Sequence, residues 1–234
     1  MHEIFPGIFR WTRSVRPGVT GASLWIQTIH GPVVVDPFIP EGGIDQIQAL
    51  GAPHAVILTT HRHERDAAAY EARFGVRRYV NGKPDSPISR RGVRFQAGER
   101  VLDTFDTVDL GGISAGETGL LLSREGGILI LGDAFLNIQL THSPLTWIFP
   151  VFLPYGPPQP YPVWMSRGPR TSRIQLAAIG ELAFKHLLPS HGDPILADAR
   201  ERVLAAIESE RRAHGFLSSS DGRPDIDARS APFK

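Results

Sequence analysis

The stretch from Val56 to Asp66 constrains the fold of this chain more than any other, because it changes from apolar to polar at one point. Residues 56–58 are an apolar run typical of a buried strand, and two threonines end it. Histidines and charged residues follow at 61–66, and the residues up to Phe74 have the pattern of a helix closed by Gly75. A strand, a polar turn and a helix in this order predict an α/β fold with its chemistry beyond the carboxyl end of the strand.

His61 and His63 in this turn are separated by one residue. If the segment is extended, both rings project to the same side, where they can bind one metal ion together. The pair is equally compatible with two surface histidines in a turn. The two histidines alone therefore leave both interpretations open.

Composition limits the metal ligands and partners. The chain has no cysteine, so a metal can be bound only by histidine and carboxylate side chains. The 25 basic and 24 acidic residues give a net charge of +1, which argues against a nucleic-acid partner. Residues 1–18 lack the apolar core of a signal peptide, and the most apolar window, 145–153, is too short to cross a bilayer. We therefore expect a cytoplasmic protein with no membrane partner.

The order of predicted elements indicates one α/β domain over residues 1–215, followed by a polar tail over 216–234. Strands dominate the first part, those within 93–132 are expected to form a second sheet, and two helices lie near the end. The segment 146–164 is rich in proline and aromatic residues. We expect it to overhang a pocket or to form a homodimer contact, because an apolar segment without regular structure needs a cover.

Acidic or imidazole side chains recur in the turns after apolar strands. Asp36, Asp133 and His191 each follow a predicted strand, and Glu117 lies in a glycine-rich loop just before one. Each has a simpler explanation by itself; Asp133, for example, can cap a helix. Their recurrence favours a single site, because the ends of neighbouring strands lie at one edge of a sheet.

With these motifs in this order, the chain resembles the metallo-β-lactamase-fold hydrolases from residue 5 to residue 195. That family has a His-x-His-x-Asp-His signature after a strand, a Gly-His-Thr-x-Gly loop, a Leu-x-x-Gly-Asp strand end and a late Ser-His-Gly turn. The matching segments here are residues 58–66, 116–119, 130–133 and 189–193. The resemblance implies a four-layer αββα sandwich with the site at one edge of its two sheets.

The chain departs from the family's signature at three positions. Arg65 and Asp66 stand where the family has the Asp and the His of a second metal site. Glu117 stands where the family has a His of the first site. The resemblance therefore implies that the shape of the site is kept and that at most one metal ion is bound.

The remaining donors suffice for one metal ion, because two imidazoles and a carboxylate form a common ligand set. The side chains that the resemblance assigns to metal binding are His61, His63, Glu117, Asp133 and His191. The expected ion is divalent zinc, with iron or manganese as alternatives.

Three side chains are expected to act in catalysis. Asp133 and Asp66 are assigned to the orientation of a water molecule. Arg65 cannot bind a metal because it stays protonated. We expect Arg65 to replace the charge of a second metal and to pair with Asp133.

Two functions follow from these assignments. The first is a metal-dependent hydrolase of a small-molecule ester, thioester, lactone or phosphoester. The alternative is a binding or interaction protein that keeps the fold and binds no metal. Measurement of the metal content separates the two.

Overall fold

Two β-sheets form the centre of the protein, whose computed structural model describes residues 1–16, 19–110, 116–137, 159–160 and 178–213. Within these residues the first sheet has seven strands that lie side by side in chain order. The first four strands pair antiparallel, and the pairs from the fourth to the seventh are parallel. The strands are β1 (His2–Phe5), β2 (Ile8–Arg16), β3 (Val19–Thr28), β4 (Gly31–Val35), β5 (Ala55–Ile57), β6 (Arg77–Asn81) and β7 (Val93–Phe95).

The second sheet is formed by later strands. In the described residues these are β8 (Arg100–Val101), β9 (Phe105–Asp109), β10 (Thr118–Leu122), β11 (Ile128–Leu131) and β14 (His186–Pro189), with a separate ribbon of β12 (Phe135–Leu136) and β13 (Gln159–Pro160). The order across the second sheet is β14, β11, β10, β9, β8. Only the pair of β11 and β14 is parallel among these neighbours.

Helices cover the outer faces of both sheets. Ile47 of the first helix and Tyr70 of the second pack on the outer face of the first sheet, and Val203 of the last packs on the second sheet. The predicted helix end at Gly75 is confirmed, since this residue adopts the left-handed conformation with φ of +67°. The described helices are α1 (Asp45–Leu50), α2 (Ala67–Phe74), α3 (Pro87–Arg91) and α4 (Ala199–Ala213).

Alternation along the strands produces four layers. In β4, Val33 and Val35 belong to the core between the sheets, whereas Val34 belongs to the core under the helices. In β11, Ile130 faces the core between the sheets and Leu129 faces the core beside α4. Successive side chains of a strand point to opposite faces, so a strand that is apolar throughout must be covered on both sides. The predicted αββα sandwich is therefore confirmed.

Two turns separate neighbouring strands, and one local prediction differs from the structure. A turn at Gly7, whose φ is +70°, separates β1 from β2. A second turn separates β8 from β9, where Leu102 and Asp103 also take positive φ values. The strand at 93–95 joins the first sheet rather than the second, because it pairs in parallel with β6.

Some predictions fall on parts of the chain that the structure does not describe. The polar tail at 216–234 lies outside the described residues, and so does the proline- and aromatic-rich segment 146–164, apart from residues 159–160. The domain limit at 215 stays a prediction. None of the described helices is long and apolar enough to cross a membrane.

The core between the sheets gives a first test. We predict that Ile130→Ala lowers the free energy of unfolding by about 2–5 kcal/mol, because it removes fully buried methyl groups from a packed interior. Chemical denaturation followed by circular dichroism measures the change. The matched control is Ile29→Ala, at a side chain that is 82% exposed, with an expected effect within about 0.5 kcal/mol. Equal effects of the two substitutions would contradict the layer assignment.

Candidate metal centre

The carboxyl ends of four strands lie at one edge of the two sheets. Asp36 directly follows β4, and the His61–His63 turn comes after β5, which runs parallel to β4. Asp133 and His191 follow β11 and β14, which are a parallel pair in the second sheet. This edge is therefore where the polar turns of both sheets meet.

Backbone hydrogen bonds hold the two sheets together at this edge. The Ala22 N–H donates to the carbonyl of Ser190 at 2.7 Å. The Thr118 N–H donates to the carbonyl of Thr59, also at 2.7 Å. Each bond joins one sheet to the other, so the turns that carry the polar side chains have fixed positions.

The segment with the two histidines is a single 3₁₀ turn, His61–His63, and not an extended strand end. Thr60 begins the turn, and its side chain accepts a hydrogen bond from the Arg62 N–H. Successive residues of a 3₁₀ helix are rotated by about 120°, so residues two apart point in different directions. The extended conformation, in which the rings of His61 and His63 would project to one side, is therefore not adopted.

His61 is held by protein groups at both ring nitrogens. Its Nε2 donates to the carbonyl of Asn81 at 2.8 Å, which leaves Nδ1 to accept from the hydroxyl of Ser86 at 3.0 Å. Gly116, with φ of +69°, packs against the ring so closely that an added Cβ would lie 2.2 Å from its Cδ2 atom. In this arrangement neither nitrogen of His61 is available to a metal ion.

Asp36 is the buried residue around which the site is arranged. Its Oδ1 accepts from the Thr59 N–H at 2.8 Å. Its Oδ2 accepts from the Thr59 hydroxyl at 2.6 Å, from the Ser190 hydroxyl at 2.6 Å and from Nδ1 of His63 at 2.8 Å. Thr59 follows a strand of the first sheet and Ser190 one of the second, so a single carboxylate joins both sheets and orients the His63 ring.

His63 and His191 direct their Nε2 atoms at the same oxygen of Asp133, Oδ1, each at 3.4 Å. The Nδ1 of His63 faces Asp36, and that of His191 faces the carbonyl of Thr20 at 3.0 Å. A carboxylate and a carbonyl can only accept, so each Nδ1 carries a hydrogen. In the neutral rings, both Nε2 atoms are left with a lone pair.

This arrangement of three side chains fits a divalent metal ion. One ligand atom from each of His63, Asp133 and His191 lies within 4.8 Å of the other two. Histidines that bind metals ordinarily donate from their second nitrogen to a carboxylate or a carbonyl, as both do here. Two imidazoles and one carboxylate suit zinc, iron or manganese and leave coordination positions open for water and substrate.

The two carboxylates of the site are ionised at neutral pH. Burial acts to raise the pKa of Asp36, but the charge and hydrogen bond of His63 outweigh it and lower the pKa to about 2. Burial acts in the same direction on Asp133, yet the hydrogen bonds that the His191 and His63 rings donate when Nε2 carries a hydrogen hold its pKa well below the usual range. Burial acts to lower the pKa of His63, but Asp36 and Asp133 raise it, so a charged imidazole can balance these carboxylates and a metal ion at Nε2 would take the place of its proton.

Glu117, a predicted ligand, lies outside this group of three donors. It is fully buried, and its Oε1 accepts hydrogen bonds from the N–H groups of Asp133 at 2.9 Å and Ala134 at 3.2 Å. Burial, together with the charges of Asp133 and Asp36, raises its pKa well above the usual value. Burial therefore disfavours the charged form of Glu117, whose contacts support the turn at Asp133.

Arg65 does not form the expected pair with Asp133. Its Nη1 donates to the carbonyls of Ala22 at 2.5 Å and Asp36 at 2.8 Å, and the guanidinium carbon lies 4.1 Å from the centre of the Phe38 ring. Two carbonyls and an aromatic face suit a planar cation, which explains why the side chain turns this way. Within the part of the chain that the structure describes, Arg65 forms no direct ion pair with a carboxylate.

Asp66 also lies outside the group of three donors. Its Oδ2 accepts from the Ile39 N–H at 2.8 Å and from Arg13 at 2.9 Å. These bonds join the start of α2 to β2 and to the segment after β4. The carboxylate is therefore engaged in structural contacts, and its predicted role in orienting water stays a prediction.

Sequence reasoning noted Asp36 as a strand-end acid but did not include it among the site residues, and it missed Thr59 and Ser190 altogether. A signal was present, because hydroxyl residues lie between the strand and the histidine of each turn, at Thr59 and Thr60 and at Ser190. Hydroxyl donors at the end of a buried strand indicate a buried acceptor nearby.

Arg78 is a further buried charge that the sequence did not reveal. Its side chain is 3% exposed and forms ion pairs with Glu64 and Glu71. Hydrogen bonds to Glu71 raise its pKa, although burial acts against them. The pairs hold the residue after the His61–His63 turn against β6, which limits the movement of that turn.

Solved structures of other proteins share this architecture. One is a metallo-beta-lactamase family protein, TTHA1429, from Thermus thermophilus, with 15% identity, a TM-score of 0.61, and coverage of 90% of this chain and 81% of that one. A second is TTHA1623 in a di-iron-bound form, with 18% identity, a TM-score of 0.57, and coverage of 82% and 98%. A third is the DIM-1 metallo-beta-lactamase, with 12% identity, a TM-score of 0.61, and coverage of 89% and 96%.

These likenesses extend over most of this chain and over most of each of the three relatives. They show that the chain has the metallo-β-lactamase fold, as the sequence motifs implied. No protein-family model and no curated protein matches the chain. At identities of 12–18% the similarity establishes the fold and leaves the activity to be argued from the site.

The role of Asp36 can be tested by a change that keeps its shape. We predict that Asp36→Asn raises the Kd for Zn²⁺ by about 10–100-fold. An amide cannot accept all four hydrogen bonds that hold this side chain and, through it, the His63 ring. Titration against a zinc-binding dye measures the Kd. Asp45→Asn, at a side chain that is 84% exposed, is the matched control and should leave it unchanged. An unchanged Kd in folded Asp36→Asn would refute the role of this residue.

The two histidines of the 3₁₀ turn should respond differently to removal. We predict that His63→Ala abolishes zinc binding, whereas His61→Ala keeps it and lowers the free energy of unfolding by about 1–3 kcal/mol. The loss of stability arises because Asn81 and Ser86 would lose their hydrogen-bond partner. Elemental analysis and thermal denaturation of both variants give the two quantities. Loss of zinc from His61→Ala would show instead that His61 is a ligand, as the sequence suggested.

Proposed function

We propose that the protein is a metal-dependent hydrolase with one divalent ion bound by His63, Asp133 and His191. The observation that supports this most is the approach of two Nε2 atoms to one oxygen of Asp133, with both Nδ1 atoms occupied by acceptors. When the rings are neutral, each offers a lone pair at Nε2 beside the Asp133 carboxylate, and this is the arrangement of donors that a metal ion requires.

The substrate class follows from what such an ion supplies when bound. It polarises a carbonyl or phosphoryl oxygen and lowers the pKa of a coordinated water molecule. We infer hydrolysis of a small-molecule ester, thioester, lactone or phosphoester, with zinc as the metal and iron or manganese as alternatives. A cytoplasmic location and a homodimer belong to the same proposal.

The residues of the chain have distinct tasks in this proposal. Asp36 keeps the hydrogen of His63 on Nδ1, and the Thr20 carbonyl does the same for His191, so both Nε2 atoms stay available. Asp133 borders both rings and is the carboxylate placed to orient a water molecule by accepting its hydrogen bond. Glu117 holds the backbone before and after this carboxylate in position through two N–H groups.

A second candidate function is supported by the predicted ligands that contact other protein groups and do not join the three donors. Both nitrogens of His61 are bound by protein groups, and Glu117 is fully buried with its Oε1 bound to two backbone N–H groups. Three donors remain where the sequence suggested five. A metal-free binding protein that keeps the fold is therefore the alternative to the hydrolase.

Metal content and chelation separate the two functions. We expect protein purified without chelator to contain about one zinc, iron or manganese ion per chain and to hydrolyse at least one of a panel of activated esters, thioesters, lactones and phosphodiesters. Chelation should abolish the activity, and added metal should restore it. Asp133→Asn should lower the rate by about 100-fold or more.

The control for this experiment is Asp109→Asn, at the end of β9, which should behave as the unmodified protein. Absence of bound metal together with absence of hydrolysis would contradict the proposal and favour the metal-free binding protein. Hydrolysis that persists after complete removal of metal would contradict both.

A further inference from the structure

Arg65 brings a permanent positive charge to a centre that attracts cations. It is a non-glycine residue with φ of +45°, a left-handed conformation that is strained for such a residue. Two hydrogen bonds from Nη1 and the contact with Phe38 fix the side chain there. A strained backbone persists only where the surrounding contacts determine it, so the position of this guanidinium is a constrained feature of the fold.

The guanidinium is connected to the proposed ligand His63 through Asp36. Arg65 donates to the main-chain carbonyl of Asp36, whose side chain binds His63. The second nitrogen of the guanidinium, Nη2, is buried and has no hydrogen-bond partner among the described residues. A buried charge without a paired carboxylate needs compensation from charges slightly farther away. The carboxylates that act on Arg65 in this way are those of Asp36, Asp133 and Asp66.

Arg13 provides a useful contrast, since it lies over the same Phe38 ring at 5.3 Å. Its side chain is 55% exposed and pairs directly with Asp66 at 2.9 Å. Solvent and this partner screen its charge. Arg65 is less exposed and has no direct carboxylate partner among the described residues, so its charge is screened less than that of Arg13.

We propose that Arg65 is the built-in counter-cation of this centre, which offsets the charges of Asp36 and Asp133 and thereby restricts the centre to one divalent ion. This inference rests on the proposed metal-binding function. A guanidinium cannot lose its proton to make room for a metal ion, so the repulsion between the two cations is permanent. A neutral side chain at position 65 would therefore give tighter binding.

The central experiment compares three variants in zinc titrations by dye competition and by calorimetry. Arg65→Gln removes the charge but keeps an amide that can donate to a carbonyl, and we expect its Kd for Zn²⁺ to fall by about tenfold or more. Arg65→Lys keeps the charge and loses the planar fork, so its Kd should stay within about threefold of the unmodified protein. Arg13→Gln is the matched control and should leave the Kd unchanged.

The outcomes distinguish charge from structure. If Arg65→Gln is folded and binds zinc no more tightly than the unmodified protein, the inference is wrong. An equal change in Arg65→Lys and Arg65→Gln would show that the hydrogen bonds matter rather than the charge, and would also overturn it. Should Arg65→Gln fail to fold, Arg65→Met tests the same point, because its side chain can keep contact with the Phe38 ring.

The test also separates this inference from the proposed function. If the unmodified protein binds no zinc but Arg65→Gln does, the counter-cation is supported and the metal-dependent hydrolase is refuted for the natural chain. If neither protein binds zinc at millimolar concentration, both are refuted. Tight zinc binding by the unmodified protein with no change in the variant refutes the counter-cation alone.

Discussion

The buried carboxylate of Asp36 is the interaction on which the site depends. An ionised carboxylate is stable in the interior only when donors surround it, and here a backbone N–H, two hydroxyls and an imidazole do so. Thr59 belongs to the first sheet and Ser190 to the second, so the requirement of one charge fixes how the two sheets meet. The same hydrogen bonds decide which nitrogen of His63 carries a hydrogen. Asp36 therefore determines both how the two sheets pack and which nitrogen of His63 can bind a metal ion.

The layers of the fold could be predicted from the sequence, whereas the directions of the site side chains could not. In a strand such as β4 consecutive side chains are apolar, so both faces of the strand must be covered. This requirement leads to an αββα arrangement. His61 and His63, in contrast, lie in a polar turn where no hydrophobic pattern indicates the conformation. The His63 N–H donates to the Thr60 carbonyl at 3.0 Å, which makes the turn 3₁₀ instead of extended, and the two rings then meet different partners.

Glu117 and Arg65 show a second limit of sequence reasoning. The motif order located both residues near the site, but their partners are backbone groups that no side-chain pattern reveals. Glu117 accepts from N–H groups 16 and 17 residues later in the chain, and Arg65 donates to a carbonyl 43 residues earlier. As a result burial disfavours the charged form of the acid, and the cation has no direct carboxylate partner among the described residues, so the guanidinium acts beside the carboxylates of Asp36 and Asp133. That balance of charge suits one divalent ion better than two.

Whether a chain with this fold can bind metal depends on which ring nitrogens its own hydrogen bonds leave free. His61 donates to a carbonyl and accepts from a hydroxyl, which uses both nitrogens. His63 and His191 each donate from Nδ1 to an acceptor, which uses one and directs the other at Asp133. The three histidines therefore differ in their capacity to bind a metal ion, although all three follow strands at the same edge of the sandwich. Position in the fold brings an imidazole to the site, and the hydrogen-bond partner of its second nitrogen determines whether it can act there.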